Sequence, residues 1–249
     1  MSDGIYAALS GAIASERSLD VVANNVANVG TEGFRGERLA FRETMSRATG
    51  GGTQPVTLRY TEIEESRIDM SEGPLHETGN PLDLAISGDS FFAVQTPQGE
   101  RYTRAGSFVV GADGGVTTHE GFPVLADGPR DRPRPQLVVP QGTTSLSVAS
   151  DGTLSTGDQV LGRVGLVRFQ HPAQVISAGG AYYSARQGFE PQRVTDGTVV
   201  QGFLEGANVG PISGMNELIT ASRTFEAFQR VIHTFQTLDE RTARDLAKG

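Results

Sequence analysis

The segment Leu218-Ile219-Thr220-Ala221-Ser222-Arg223-Thr224-Phe225-Glu226-Ala227-Phe228-Gln229-Arg230-Val231-Ile232-His233-Thr234-Phe235 repeats apolar residues at alternating spacings of three and four. Leu218, Phe225, Ile232 and Leu246 share one register, which Asp239 interrupts. Ala221, Phe228, Phe235 and Thr242 fill the second register of the same heptad. The opposite end carries a matching stripe, with Ile5, Ala12, Leu19 and Val26 at one position and Ala8, Ser15, Val22 and Val29 at the other. Heptads sustained over three or more repeats predict helices that pack against other helices. The chain is therefore organised around its two ends, whose helices pair with each other or with copies of themselves.

Asp3 or Ser2 is placed to cap a first helix that runs to about Asn28. Asn24, Asn25 and Asn28 mark its end, because asparagine tolerates the left-handed backbone that stops a helix. Ser213 is a plausible cap for the last helix, which runs to about Ala247. Between the helices the pattern changes. Leu82, Leu84 and Ile86 alternate with polar or small neighbours as in a half-buried strand. Phe91 to Gln95, Tyr102 to Val110 and Leu161 to Phe169 read as further strands. Asp113-Gly114, Asp151-Gly152 and Asp196-Gly197 read as hairpin turns. Gly128 to Pro135 reads as an exposed loop, because its prolines cannot sit in a central strand. Residues 35–81 read as an extended connector with a Gly-rich break at Thr49 to Thr53. The acids between residues 60 and 83 read as a solvated face.

The fold class expected is α+β: long N- and C-terminal helices packed as a coiled-coil pair or bundle, with a central, mainly β domain. The divisions are 1–34 for the first helix, 35–81 for the connector, 82–200 for the β-region and 201–249 for the return segment and last helix.

Composition narrows the function classes. The 249 residues carry a net charge of −8, which argues against a nucleic-acid backbone as the main ligand. There is no cysteine, so disulfides and thiolate metal sites are excluded. His76, His119, His171 and His233 lack a second ligand at metal spacing, and no nucleophile elbow, phosphate loop or dinucleotide fingerprint is present. No catalytic residue, cofactor site or metal site is expected. The absence of Trp, with only 5 Tyr, also weakens a β-rich module that stacks cell-wall polysaccharide, the main alternative from another class. No apolar run reaches the length of a membrane helix and no Sec-type leader is visible, so these rules taken alone suggest the cytoplasm.

Val22-Ala23-Asn24-Asn25-Val26-Ala27-Asn28-Val29-Gly30-Thr31-Glu32-Gly33-Phe34 resembles the Asn-Asn-Leu-Ala-Asn…Thr-x-Gly-Phe motif of bacterial flagellar rod and hook proteins. Ile86 to Val94 with Tyr102-Thr103-Arg104-Ala105-Gly106-Ser107-Phe108, then Gly121-Phe122-Pro123-Val124-Leu125, then Leu204-Glu205-Gly206-Ala207-Asn208-Val209, match further family segments in order. Asp89 and Ala207 depart from the family pattern. Asp89 would matter if its position required a positive φ. Length and the Arg223 to Glu226 and Asp239 to Arg244 segments are most similar to the proximal-rod branch, with the distal-rod branch as the alternative.

The resemblance implies a structural rod subunit of the flagellar basal body. It would polymerise through its terminal helices with itself and with other rod proteins, and build the axial drive shaft and export channel. It would pass unfolded through the flagellar type III export apparatus without a cleaved signal and assemble in the periplasm, which replaces the cytoplasmic expectation. Neither nucleic acid nor membrane insertion is implied. The residues expected to carry assembly are Ile5, Leu9, Leu19, Val22, Asn24, Asn25, Val26, Asn28, Phe34, Leu218, Phe225, Phe228, Ile232 and Phe235.

Overall fold

The computed structural model describes residues 2–48, 56–128, 132–140, 143, 145–157 and 159–246. The expected break at Thr49 to Thr53 lies outside the described residues, as do the side chains of Glu62, Glu64 and Glu65 and part of the loop at Gly128 to Pro135. The protein is α+β, with one long helix near each end and a β-rich middle. It divides into two compact units. The helical unit holds residues 1–27, 37–66 and 211–249; the β-unit holds 28–36 and 67–210.

In the helical unit, α1 spans Ser2–Ala27 and α2 spans Pro211–Leu246. α2 begins before the expected cap at Ser213. Proline suits the first turn, where its missing N–H has no intrahelical partner and its fixed φ is already helical. Arg244 in the last turn faces the negative end of the helix dipole. The strands Glu37–Ala48 and Val56–Ile68 pair with each other as a two-stranded sheet within the region read as a connector.

The β-unit is built on a six-stranded antiparallel sheet. Its order is Val175–Ser177, Tyr182–Ala185, Gly99–Thr103, Ser90–Thr96, Leu166–Arg168 and Gln192–Val194. Phe92 and Val94 point into one core with Leu84, Ile86, Phe108, Val124, Leu154 and Leu166. Phe91 and Ala93 point into the other, with Tyr102, Val167, Phe169 and Tyr183. The uninterrupted apolar run from Phe91 to Val94 thus belongs to a strand covered on both faces. Edge-to-face ring contacts at 5.6 Å and 5.3 Å tie Phe91 and Tyr102 to Phe169.

Several strand readings change. Leu84–Ser87 is not half-buried, since Leu84, Ala85 and Ile86 are all buried. Tyr102 to Val110 is interrupted after Thr103, and a separate strand, Phe108–Val110, pairs with Val116–Thr118. Leu161 to Phe169 is two strands in two sheets, Gln159–Arg163 and Leu166–Arg168. Val164 and Gly165 make the switch, and Gly165 has no space for a Cβ beside the Leu125 carbonyl, 2.7 Å away. In the proline-rich loop, Arg134 is buried although its neighbours Pro133 and Pro135 are exposed.

Candidate assembly interface

α1 turns small residues toward α2, and α2 answers with large ones. A Cβ on Gly4 would lie 2.9 Å from the Phe235 ring, and Gly11 has still less space beneath Phe228. These contacts are one heptad apart on each helix and run in opposite directions, so α1 and α2 lie antiparallel. Ala8, Ala12 and Ser15 are buried along the same side of α1, and Ala14 is buried as well. A groove of about 590 Å³ continues between the helices, lined by Ala14, Ser18, Val22, Ala221 and Phe228 among others. Its polar wall is muted: the Thr220 and Thr224 hydroxyls donate to the Asn216 and Thr220 carbonyls at 2.8 Å, which satisfies both within α2.

The expected interface residues fall into distinct places. Ile5, Leu19, Val22, Val26, Leu218, Phe225, Phe228, Ile232 and Phe235 are half-buried within the helical unit. Leu9 is 47% exposed and sits on the outer side of α1 with Tyr6 and Ile13. Ile212, Met215 and Ile219 repeat that spacing on α2 and are 51% exposed or more. Residues three and seven apart share a helix face, so each helix carries a second, outward apolar stripe that the heptad reading did not single out. Phe34 is 2% exposed and belongs to the β-unit.

The asparagines divide as well. Asn25 is buried, and its amide donates to the Glu37 carbonyl at 2.8 Å while its carbonyl accepts from the Glu37 N–H at 2.8 Å. It completes both backbone groups of one residue as a neighbouring strand would. Asn28 is half-buried; its side-chain carbonyl accepts from the Thr31 hydroxyl at 3.3 Å, and its backbone carbonyl accepts from the Thr31 N–H at 2.9 Å. Asn24 is solvent-exposed. The left-handed backbone expected of these residues is not used. Among the described residues no non-glycine has a positive φ, and Gly33, with φ 65°, makes the turn instead. Gly88, at φ 105°, likewise spares Asp89 any strain, and Asp89 accepts from Arg168 at 2.6 Å.

A buried charged cluster in the β-unit was not foreseen. Arg35, Arg104 and Glu205 have side chains 1% exposed. Arg35 lies 2.6 Å from one Glu205 oxygen and Arg104 lies 3.2 Å from the other. Arg35 Nη2 has no aligned hydrogen bond, so its contact with Glu205 is an ion pair by distance only. Arg35 also donates to the Ser71 carbonyl, and Arg104 to the Ile86 and Gly88 carbonyls. Gly73 N–H donates to the Glu205 carboxylate at 2.8 Å, and Gly33 N–H to its backbone carbonyl at 2.7 Å. Burial pushes the Arg104 guanidinium down to about 10; Glu205 opposes that shift and Arg35 adds to it. Arg104 therefore stays charged at neutral pH. Beside the cluster, Asn208 accepts from the Gly36 N–H at 2.7 Å and donates to the Asp69 and Ser71 carbonyls at 3.0 Å. The signal was present in the sequence, since Arg104, Glu205 and Asn208 sit inside the quoted family segments and Arg35 follows Phe34.

Those segments also match known families. Residues 5–35 match the flagella basal body rod protein family, 85–156 the flagellar hook protein FlgE/F/G D1 domain, and 200–245 the flagellar basal body rod FlgEFG protein C-terminal family. The chain is 34% identical over 250 residues to the flagellar basal-body rod protein FlgF of Caulobacter vibrioides, covering 100% of this chain and 99% of that one. The chain belongs to the flagellar basal-body rod protein FlgF family. The Mesorhizobium japonicum FlgF is 36% identical across 91% of this chain and 90% of its own. The Bacillus subtilis FlgG, from the sister branch, is 30% identical across 94% of this chain and 95% of its own. The FlgF-family chain is a structural subunit of the rod of the flagellar basal body, favoured over the FlgG alternative, and it assembles with other flagellar rod proteins. Among its described residues, no helix is long and apolar enough to cross a membrane.

Proposed function

We propose that this rod subunit polymerises through α1 and α2, whose antiparallel pair extends into a coiled-coil bundle shared among copies. The observation that carries this reading is the outward stripe on each helix: Tyr6, Leu9 and Ile13 on α1, and Ile212, Met215 and Ile219 on α2. A contiguous apolar surface of this kind costs free energy in water and is relieved when neighbouring helices cover it. Burying one such pair roughly offsets the entropy of ordering it, whereas a bundle adds burial to helices whose backbone is already ordered, set against the cost of bringing copies together. Ile5, Leu9, Leu19, Val22, Asn24, Asn25, Val26, Leu218, Phe225, Phe228, Ile232 and Phe235 form or support that bundle, while Asn28 and Phe34 shape the chain next to it. The bundle is the axial drive shaft of the proximal rod and lines its export channel. Residues 82–200 form the outward β domain, residues 35–81 join it to the first helix, and residues 201–210 return the chain to the last.

A helical unit completed only by assembly suits a subunit that travels unfolded through the type III export apparatus, without a cleaved signal, and assembles in the periplasm. The absence of cysteine supports this route, since no disulfide can lock the chain before passage. The double variant Leu9→Ser/Ile13→Ser tests the reading in a motility assay with isolation of basal bodies. Loss of rods with an unchanged thermal transition of the β-unit is expected; a motile strain with normal rods would remove the outward stripe from the interface.

A further inference from the structure

Two cations that converge on one anion inside a core cannot be buried in any order. Arg35, from the segment after Gly33, and Arg104, from the segment between two strands, reach the same enclosed place in the β-unit. Their carboxylate comes from Glu205 in the strand Phe203–Glu205, 101 residues after Arg104. Glu72, the other carboxylate that acts on Arg104, is solvent-exposed and already accepts the Gly88 N–H at 2.6 Å. Without Glu205 the same core would therefore enclose two guanidinium groups with no buried counter-charge, and an uncompensated buried charge is strongly destabilising.

We infer that Glu205 is the closing lock of the β-unit: the segments carrying Arg35 and Arg104 stay open until its carboxylate docks between them. The strand that brings Glu205 pairs with Leu75–Glu77, so the lock draws in the segment around Gly73 as well. Both arginines lie on segments that precede their partner in the chain, and the unit closes only when its last strand docks. Buried ion triads contribute little net stability against apolar replacements, so the role falls to the order and uniqueness of closure.

Hydrogen exchange on the dilute full-length monomer tests this without reference to assembly. In Glu205→Gln, which keeps the shape and removes the charge, the Gly33, Arg35, Gly36 and Gly73 amides are expected to exchange about 100- to 1000-fold faster. The amides of Ser90–Thr96 are expected to remain within about threefold of wild type. The charge-free variant Arg35→Met/Arg104→Met/Glu205→Met is expected to regain protection at Arg35 and Gly36. Wild-type exchange in Glu205→Gln would overturn the inference. Should Glu205→Gln lose protection everywhere, the charge-free variant decides: recovery supports the lock, and continued loss overturns it.

Discussion

The β-unit encloses Phe91, Phe92, Ala93 and Val94 so fully that all four are 0% exposed, whereas in the helical unit Phe225, Phe228, Ile232 and Phe235 are only half-buried. Both regions are rich in apolar side chains, but they use them differently. A sheet strand has two faces and can be covered on both by its own chain. A long helix has a whole circumference, and one partner helix covers only a stripe of it. The β-unit therefore completes its core from within, and the helices keep apolar surface that calls for further helices.

The sharpest way to break that contrast is a pair of truncations. Phe92→Ala should destabilise the β-unit by about 3–5 kcal/mol, read from urea unfolding followed by tyrosine fluorescence. Phe228→Ala should leave that transition within about 0.5 kcal/mol and yet prevent rod assembly, because its ring packs over Gly11 within the helical unit. Equal losses from the two variants would mean that the regions share one core.

A smaller effect separates the asparagines inside the helical unit from those beyond it. Asn25→Leu strands both backbone groups of Glu37, so a loss of about 1–3 kcal/mol is expected in the melting of the helical signal, with faster exchange at the Glu37 amide. Asn28→Leu should cost less, since Asn28 is only half-buried whereas Asn25 is buried. A larger loss from Asn28 would make Asn28, and not Asn25, the residue that secures the end of α1.

The smallest effect probes the rim of the β-unit. Burial alone would push the Glu120 carboxyl up, but hydrogen bonds from Tyr182, its own backbone and Thr118 hold it below the ordinary carboxylate range. Tyr182, 2.7 Å away, is in turn pushed up to about 12 by burial and by that same bond. A depressed folded value contributes stability above the unfolded carboxylate value, and the contribution is lost as pH falls through the folded one. Tyr182→Phe should therefore raise the Glu120 titration midpoint, measured by NMR, and move the acid unfolding limb slightly toward higher pH. An unshifted midpoint would show that the bond does not hold Glu120 in solution.

Much of this architecture was legible in single residues. The heptad of Leu218, Phe225, Phe228, Ile232 and Phe235 was read directly, because 3.6-residue periodicity is a local property of the chain. The residues that meet those rings were not read from it: Gly4 and Gly11, one position before Ile5 and Ala12, lie against Phe235 and Phe228. Strand boundaries were harder. Leu161 to Phe169 looked continuous, yet it changes sheets at Val164-Gly165, and nothing in local alternation encodes which neighbour each half meets. Arg134 was read as part of a solvated loop because the prolines beside it cannot join a central strand, and its burial depends on residues distant in sequence, such as Glu100 at 3.7 Å.

The amino-acid sequence by itself determined the class of structure and the family: terminal helices from heptads, a β-rich middle from alternation and turns, and a flagellar rod subunit from four ordered motifs. Tertiary structure alone decided what those motifs are for. Arg35, Arg104 and Glu205 are unremarkable charges along the chain, and become one enclosed cluster only when three separate segments meet. Asn25 became a clasp on Glu37, and Gly33 took the left-handed turn that the asparagines could have made. Periodicity and turn chemistry are carried by neighbours in sequence, whereas desolvation and charge pairing depend on neighbours in space, which the chain acquires only on folding.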